Sequence, residues 1–534
     1  MPPTDGAAPA APELAPIRRV AEWFARDNPA TPGQWLGRFV ALRLLGLVYL
    51  MAFLTLVYQG PALIGPRGLE PARALLDEVA AAAGGRAAGF WELPSLFWLI
   101  GAGDGALRAA GVAGVVLSLV VLAGWANAIV LALLCALQIS INNVGQTFYG
   151  FGWEIQLVET GFLCIFLCPL LDGRPFPRRA PPASVVWLLR WLAIRIMWGA
   201  GLIKLRGDSC WRDLTCLDFH FETQPVPGPL SPWFHHLPHA AHTAGVVFNH
   251  FVELAAPFFM FGPRRVRIAG GACLAALQLV LIASGNLSFL NWLTLVPIVA
   301  CFDDGVWRRL LPRALVARAE RARAAAAPSR ATGLVAALVT VAVLGLSIPP
   351  VLNLLSGKQM MNTSFTRLPL VNTYGAFGSV NRTRDELIIE GTDDAVINAD
   401  TPWRAYEFKC KPGDPDRRPC LMSPYHYRLD WLMWFAAMED PGRNLWAVHL
   451  VWKLLEADPA TLRLLAYDPF GGRPPRFVRV ESYHYEFAPR GAPGWWRRAR
   501  NGPWLPALAR DDPALRAFML RRGWLDDPGA GTAP

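Results

Sequence analysis

The chain sets charged and polar groups inside long apolar runs. Each such group costs roughly 2.5–3.5 kcal/mol at the centre of a spanning helix, so it needs a partner or a task. Glu154 and Glu159 fall in one run, Arg190, Arg195 and Lys204 in a second, and Asn249, His250 and Glu253 in a third. Two chemistries suit them. Glu154, Glu159, Arg190 and Arg195 suit intramembrane ion pairs, Glu159 with Arg195 for example, that fix helix packing. Lys204, His220, His250 and Glu253 are acid/base types, and would act together if they lined a polar cavity opening outward. His250 and Glu253 stand three apart, on one helical face.

Beyond Lys204 lies the densest polar segment. Arg206, Asp208, Arg212, Asp213, Asp218, His220 and Glu222 alternate in sign around Trp211, without amphipathic period. Charges partly withdrawn from water are costly unless paired, so they are expected to pair within the loop or with the C-terminal region. Pro225, Pro227 and Pro229 stiffen the chain beyond Glu222, and the loop reads as a rigid platform. A solvated connector is the alternative. Cys210, Cys216, His220, Glu222, His235 and His236 are metal-ligand types. Two cysteines separated by five residues match no standard zinc spacing, so no metal is expected.

The nine cysteines divide by position. Cys135, Cys164, Cys168, Cys273 and Cys301 lie in apolar runs and read as packed thiols. Cys210, Cys216, Cys410 and Cys420 fall outside them. Two local disulfides are the simplest arrangement, Cys410–Cys420 closing the Pro-rich turn Lys411–Pro419. Sequence leaves the connectivity open, and redox exchange with a client is the second reading, although neither pair is Cys-x-x-Cys.

The elements that must position these groups are mostly membrane helices. Apolar residues make up 53% of the 534 and charged ones only 17%, which excludes a disordered chain. Nine runs read as spans: about 39–59, 108–124, 126–144, 152–171, 184–204, 244–262, 267–285, 287–303 and 331–349. Phe90–Ile100 is too short to cross and reads as interfacial. The net charge of +10 invites a nucleic-acid partner, but the basic residues cluster between apolar runs, so the partner is a lipid bilayer and no nucleic acid. With nine spans, 17 Lys/Arg fall on the inner side, among them Arg18, Arg19, Arg26 and Arg38. Only Arg67, Arg73, Arg86, Arg206 and Arg212 fall on outer connections before the tail. That asymmetry places the N-terminus in the cytoplasm and the tail outside, periplasmic or lumenal.

The expected organisation is therefore an N-terminal arm (1–37), a transmembrane bundle (38–349) carrying the outer loop 205–243, and an extracytoplasmic C-terminal domain (350–534). The arm carries no basic-then-apolar leader pattern. Alternation at Glu386–Glu390, Trp403–Lys409, Leu462–Tyr467 and Arg476–Phe487 predicts strands. Tyr427–Met438 and Leu445–Glu456 predict helices. A β-sandwich-like domain with helical insertions is expected. From Gly491 on, Trp495, Trp496 and Trp504 mix with Arg497, Arg498 and Arg500, as in a membrane-surface segment or a docked terminal helix. No nucleotide-binding loop, dinucleotide fingerprint or helical histidine pair appears, so no cofactor is expected.

The segment GAGLIKLRGDSCWRDLTCLDFHFETQPVPGPLSPWFHHLP closely resembles the signature stretch of the lipase maturation factor family. NTYGAFGSVNRTRDELIIEGT, WRAYEFKCKPGDPDRRPC and PYHYRLDWLMWFAAM resemble that family's C-terminal domain. The likeness runs from about the fourth span to Phe487. It implies a multi-span protein of the endoplasmic reticulum, or in a bacterial relative of the inner membrane, that helps secreted lipases reach their active fold. The Ala-, Arg- and Pro-rich composition is that of a high-GC bacterial chain. On this reading the loop and tail hold a secreted client, with Trp211 among the contacts, and the protein is not an enzyme. The family's membrane part is in turn distantly similar to the vitamin K-dependent carboxylase type of bundle. That makes a membrane-embedded enzyme modifying a secreted protein or lipid the second reading. Neither the client nor the oligomeric state follows from the sequence.

Overall fold

The computed structural model describes residues 33–525. Most of the expected arm, with Arg18, Arg19 and Arg26, lies outside them.

Each of the nine apolar runs forms a helix. They are α1 (Trp35–Ile64), α2 (Asp104–Ala123), α3 (Ala128–Val144), α4 (Gly152–Ile165), α5 (Ala183–Arg206), α6 (His239–His250), α7 (Arg264–Ser284), α8 (Leu290–Ile298) and α9 (Arg330–Leu346). The α6 run goes on through a π-helical turn, Phe251–Ala255, and a 3-10 turn, Ala256–Phe261. Six of these runs are long and apolar enough to cross a membrane, which makes this an integral membrane protein. The other three, α3, α4 and α8, are shorter. Helix α4 ends at Ile165 rather than at the expected 171, because Cys168-Pro169 begins an irregular stretch in which proline can donate no helical hydrogen bond. Phe90–Ile100 divides between two short helices, Arg86–Glu92 and Phe97–Ile100, with Trp91 and Leu99 exposed.

Local chemistry sets the helix ends. Asn127 caps α3 by accepting from Val130 N at 2.9 Å, and Ser329 caps α9 through Thr332 N. Lys204 and Arg206 occupy the last turn of α5, where the helix dipole favours cations. Packing between α1 and α2 depends on small residues. A Cβ added at Gly114 would lie 2.3 Å from the Phe53 ring, so the two backbones approach only because that side chain is absent.

The C-terminal region contains eight short or long strands: β1 (Thr363–Ser364), β2 (Asn372–Thr373), β3 (Arg384–Thr392), β4 (Arg404–Ala405), β5 (Glu407–Phe408), β6 (Leu465–Tyr467), β7 (Phe477–Phe487) and β8 (Trp496–Ala509). The expected β-sandwich does not form among the described residues. Instead one four-stranded antiparallel sheet runs β4-β3-β7-β8, and β1–β2 and β5–β6 are separate pairs. Register in the sheet pairs Arg384 with Tyr485 and Thr392 with Phe477. Helices α10 (Arg428–Ala436) and α11 (Leu445–Leu455) cover the face that carries Leu387, Ile389, Val478 and Val480. Their apolar surface does what a second sheet would do in a sandwich.

Over its Trp/Arg part the stretch after Gly491 is a strand rather than a helix. It is edge strand β8, with Trp496 buried opposite Phe487 and Arg497, Arg498 and Arg500 exposed. Exposed charge guards an edge against pairing with other chains. A docked helix, Pro513–Arg521, follows it and packs through Leu515 and Met519.

One hydrophobic core runs without a break from the bundle into this region, joining Leu56, Phe148 and Leu157 to Trp431, Trp446 and Leu450.

Candidate functional site

Helix α5 ends at Arg206, and the chain leaves it at Gly207 into the loop that leads to α6. Asp208 opens a short helix, Ser209–Arg212, by accepting from Cys210 N at 3.0 Å. Its carboxylate also takes a bidentate pair from Arg382 at 2.8 and 3.1 Å, and that guanidinium holds the carboxyl below its usual range. Cys210 and Cys216 are bonded and buried, closing the turn. Trp211 is buried: its indole N–H donates to Phe377 O at 2.8 Å, and its own carbonyl lies 2.9 Å from His250 Nε2. Arg212 donates to Leu205 O and Gly207 O, satisfying carbonyls at the C-terminus of α5.

The remaining loop charges follow the same pattern. Arg206 reaches Gln359 at 2.7 Å. Asp218 faces His239 at 2.9 Å and His242 at 2.8 Å. Glu222 accepts from Phe487 N at 2.6 Å and stands 3.6 Å from His235; burial raises its carboxyl pKa. Asp213 is exposed. His220 packs between the Phe221 and Phe377 rings, and burial, then Lys204, pushes its pKa down to about 4. From the tail side, Arg384 donates to Glu222 O and Pro225 O, both at 2.9 Å, and the Trp434 N–H reaches Thr223 O at 3.0 Å. The loop is a docked element rather than a solvated connector.

Within the bundle, Glu159 pairs with Arg195, and both are buried. That pair is roofed by the tail: Asn372 N and Tyr374 Oη donate to Glu159 at 2.9 and 2.6 Å, while Arg195 donates to Asn372 O at 2.7 Å. Glu154 finds Arg428 at 2.7 Å and Gln138 at 2.9 Å. Arg428 also donates to Phe148 O at 2.7 Å and lies 3.6 Å from the Tyr149 ring centroid. Arg190 donates to Ala300 O at 2.9 Å and stacks on Trp187. Of the acid/base set, Lys204, His250 and Glu253 come together where α5 ends beside the α6 run, as an occupied cluster, while His220 packs against the Phe221 and Phe377 rings. Lys204 pairs with Glu253, Glu253 accepts from Asn249 at 2.9 Å, and His250 is held by Trp211 O. Glu253 lies in the π-helical turn.

A cavity of about 370 Å³ opens elsewhere, lined by Trp35, Trp187, Arg190, Arg267 and Asp303 among others; Lys204, His220, His250 and Glu253 do not line it. Among the described residues, no three or more His, Cys, Asp or Glu are placed to hold a metal ion. Cys410 and Cys420 are bonded around Lys411–Pro419. Asp430 gathers Cys410 N at 2.5 Å and Lys411 N at 3.0 Å, fixing that turn on α10.

Residues that sequence reasoning missed include His239, His242 and Gln138 before the tail and, on the tail, Asn372, Tyr374, Arg382, Arg384 and Arg428. The tail residues carried a signal: each sits in or beside a stretch that resembles the family's C-terminal domain, and Arg428 is a lone cation in an aromatic run.

Three comparisons bear on this arrangement. The lipase maturation factor transmembrane domain matches residues 36–309, and the lipase maturation factor C-terminal domain matches 370–506. Lipase maturation factor 1 of Bos taurus is 50% identical over 517 residues, covering 92% of this chain and 91% of that protein. The Homo sapiens protein of the same name is 48% identical, covering 92% and 90%. Lipase maturation factor 2 of Rattus norvegicus is 29% identical, covering 90% and 84%. No solved structure matches.

Proposed function

The chain belongs to the lipase maturation factor family, and from that membership we propose that it is a membrane-anchored maturation factor for secreted lipases. The outer loop and the C-terminal region together form its client-binding surface. The observation that carries this reading is the docking itself. Trp211 to Phe377, Asp208 to Arg382, and Glu222 with Arg384 and Phe487 join loop and tail into one preformed face. A preformed face binds a partly folded client without first ordering itself. The pairing of Lys204 with Glu253 and of Glu159 with Arg195 supports a structural role for the intramembrane charges.

The finer topology is part of the proposal. Nine spans, with α3, α4 and α8 as short crossings, put the N-terminus in the cytoplasm and residues 350–534 outside. The 17-to-5 Lys/Arg asymmetry supports that orientation. Labelling of cysteines introduced beyond residue 360 reads it directly; reaction from the cytoplasmic side only would overturn it.

The functional test is rescue. Cells lacking an endogenous factor and secreting a lipase should regain active enzyme with the full chain. Trp211→Ala or Arg212→Ala should abolish rescue while membrane insertion is intact. If both variants rescue normally, the client surface is not at this seam.

A further inference from the structure

We propose that Asn381 is an N-glycosylation site, singled out by the fold from the three Asn-x-Ser/Thr sequons in the chain. The assignment rests on the outward orientation of the tail. The sequons are Asn286-Leu287-Ser288, Asn362-Thr363-Ser364 and Asn381-Arg382-Thr383. A sequon marks a surface loop in a secreted compartment only if its carboxamide nitrogen is free to carry a bulky, solvated sugar.

Asn286 fails on every count. It is fully buried. Its Nδ2 donates to Cys420 O at 2.8 Å and Pro227 O at 3.3 Å, and its Oδ1 accepts from Met422 N at 2.8 Å and Ser423 N at 3.1 Å. A glycan there would replace one of the two buried donor hydrogens and force a sugar between the bundle and the disulfide turn. Asn362 is exposed, the most open of the three, but pinned through its oxygen and its contact with the bundle. Its Oδ1 accepts from Gly375 N at 3.3 Å, and its carboxamide rests on Gly152 at the start of α4, where even an added Cβ would come within 2.4 Å. A sugar on that nitrogen would wedge the tail off the bundle.

Asn381 is half-buried, less open than Asn362, but its carboxamide neither pins a backbone group nor rests against the bundle. Its Nδ2 has a single contact, with Met438 Sδ at 2.9 Å, and sulfur is a weak acceptor. Arg382 and Thr383 on its C-terminal side are exposed, and Met438 is 44% exposed. The modification costs the folded protein one weak bond. It also places the sugar beside the Asp208–Arg382 pair, at the rim of the seam between loop and tail.

The transfer balances without redox change. The Asn381 amide nitrogen bonds to C1 of an oligosaccharide carried on a polyprenyl diphosphate. The C1–oxygen bond to the diphosphate breaks, the polyprenyl diphosphate leaves, and one amide proton passes to solvent. A membrane oligosaccharyltransferase of the secretory compartment supplies donor and catalysis.

The test expresses the full chain in cultured animal cells and reads gel mobility before and after peptide:N-glycosidase. One glycan-sized step is expected. Asn381→Gln and Thr383→Ala should abolish it, Thr383→Ser should keep it, and Asn286→Gln and Asn362→Gln should leave it unchanged. Asp400→Thr, which completes a sequon on the exposed Asn398, reports orientation independently. If Asp400→Thr acquires a glycan while the unaltered chain carries none, the tail faces outward and the Asn381 assignment is overturned. A step that survives Asn381→Gln and is lost in Asn362→Gln or Asn286→Gln also overturns it. If neither the chain nor Asp400→Thr is modified, the outward orientation falls together with the assignment.

Discussion

Replacing Arg428 tests whether the tail holds the bundle electrostatically. Its guanidinium is fully buried, 2.7 Å from Glu154 and 2.7 Å from Phe148 O, and it stacks on Tyr149. Arg428→Met keeps most of the stem volume and removes the charge, leaving Glu154 buried without its cation. Breaking one half of a buried pair costs about 3–5 kcal/mol. The lost hydrogen bond and ring contact act through the same group, so they are not added on top. Against a stability of roughly 5–15 kcal/mol for a typical domain, that loss is large. In detergent, reaction of the buried Cys164 thiol with a maleimide on heating should shift to a markedly lower temperature. The decisive arm is the double variant Glu154→Gln with Arg428→Met, which removes both charges. The carboxamide introduced by Glu154→Gln would keep a polar partner in Gln138, so the double variant should recover most of the lost stability. If Arg428→Met costs less than about 1 kcal/mol, or if the double variant is worse than the single, the pair is not what seats the tail and the reasoning is refuted.

Other outcomes rest on the same contacts. Arg382→Ala should cost less than about 1 kcal/mol, because that guanidinium is 43% exposed and its pair with Asp208 is screened; chemical-denaturation midpoints measure it. Trp211→Ala should cost about 3–5 kcal/mol locally by leaving a cavity, read as protease cutting between loop and tail. His220 takes its proton near 6.5 unfolded and near 4 folded, so the unfolded state binds more protons between those values. Its contribution, at most about 3 kcal/mol, is complete above pH 6.5 and is lost as pH falls toward 4. His220→Phe should flatten denaturation midpoints across that window, and an unchanged slope would contradict the assignment. Serine at both Cys410 and Cys420 should lower tail stability by roughly 2–3 kcal/mol, from the loop of separation 10 that the bond closes; denaturant midpoints measure it.

Much of the architecture follows from local pattern. All nine apolar runs became helices, because hydropathy and the 3.6-residue period act over neighbours a turn or two apart. Strands β3, β6 and β7 and helices α10 and α11 were legible for the same reason. The Cys410–Cys420 bond was legible because its loop is short. Tertiary structure alone decided who answers whom. Glu154 takes its cation from Arg428 and the Glu159–Arg195 pair takes its roof from Asn372 and Tyr374, partners far along the chain that no periodicity announces. The sandwich expectation failed similarly: alternation shows that a strand has a buried face, but not whether a sheet or a helix covers it. β8 hid because Trp496 is its only fully buried residue, and its exposed arginines gave the pattern of a surface segment. Composition and period fix the elements, since those forces are local. The seam where loop, tail and bundle meet is fixed by charges that must be neutralised once they leave water, and only the folded chain brings their partners within reach.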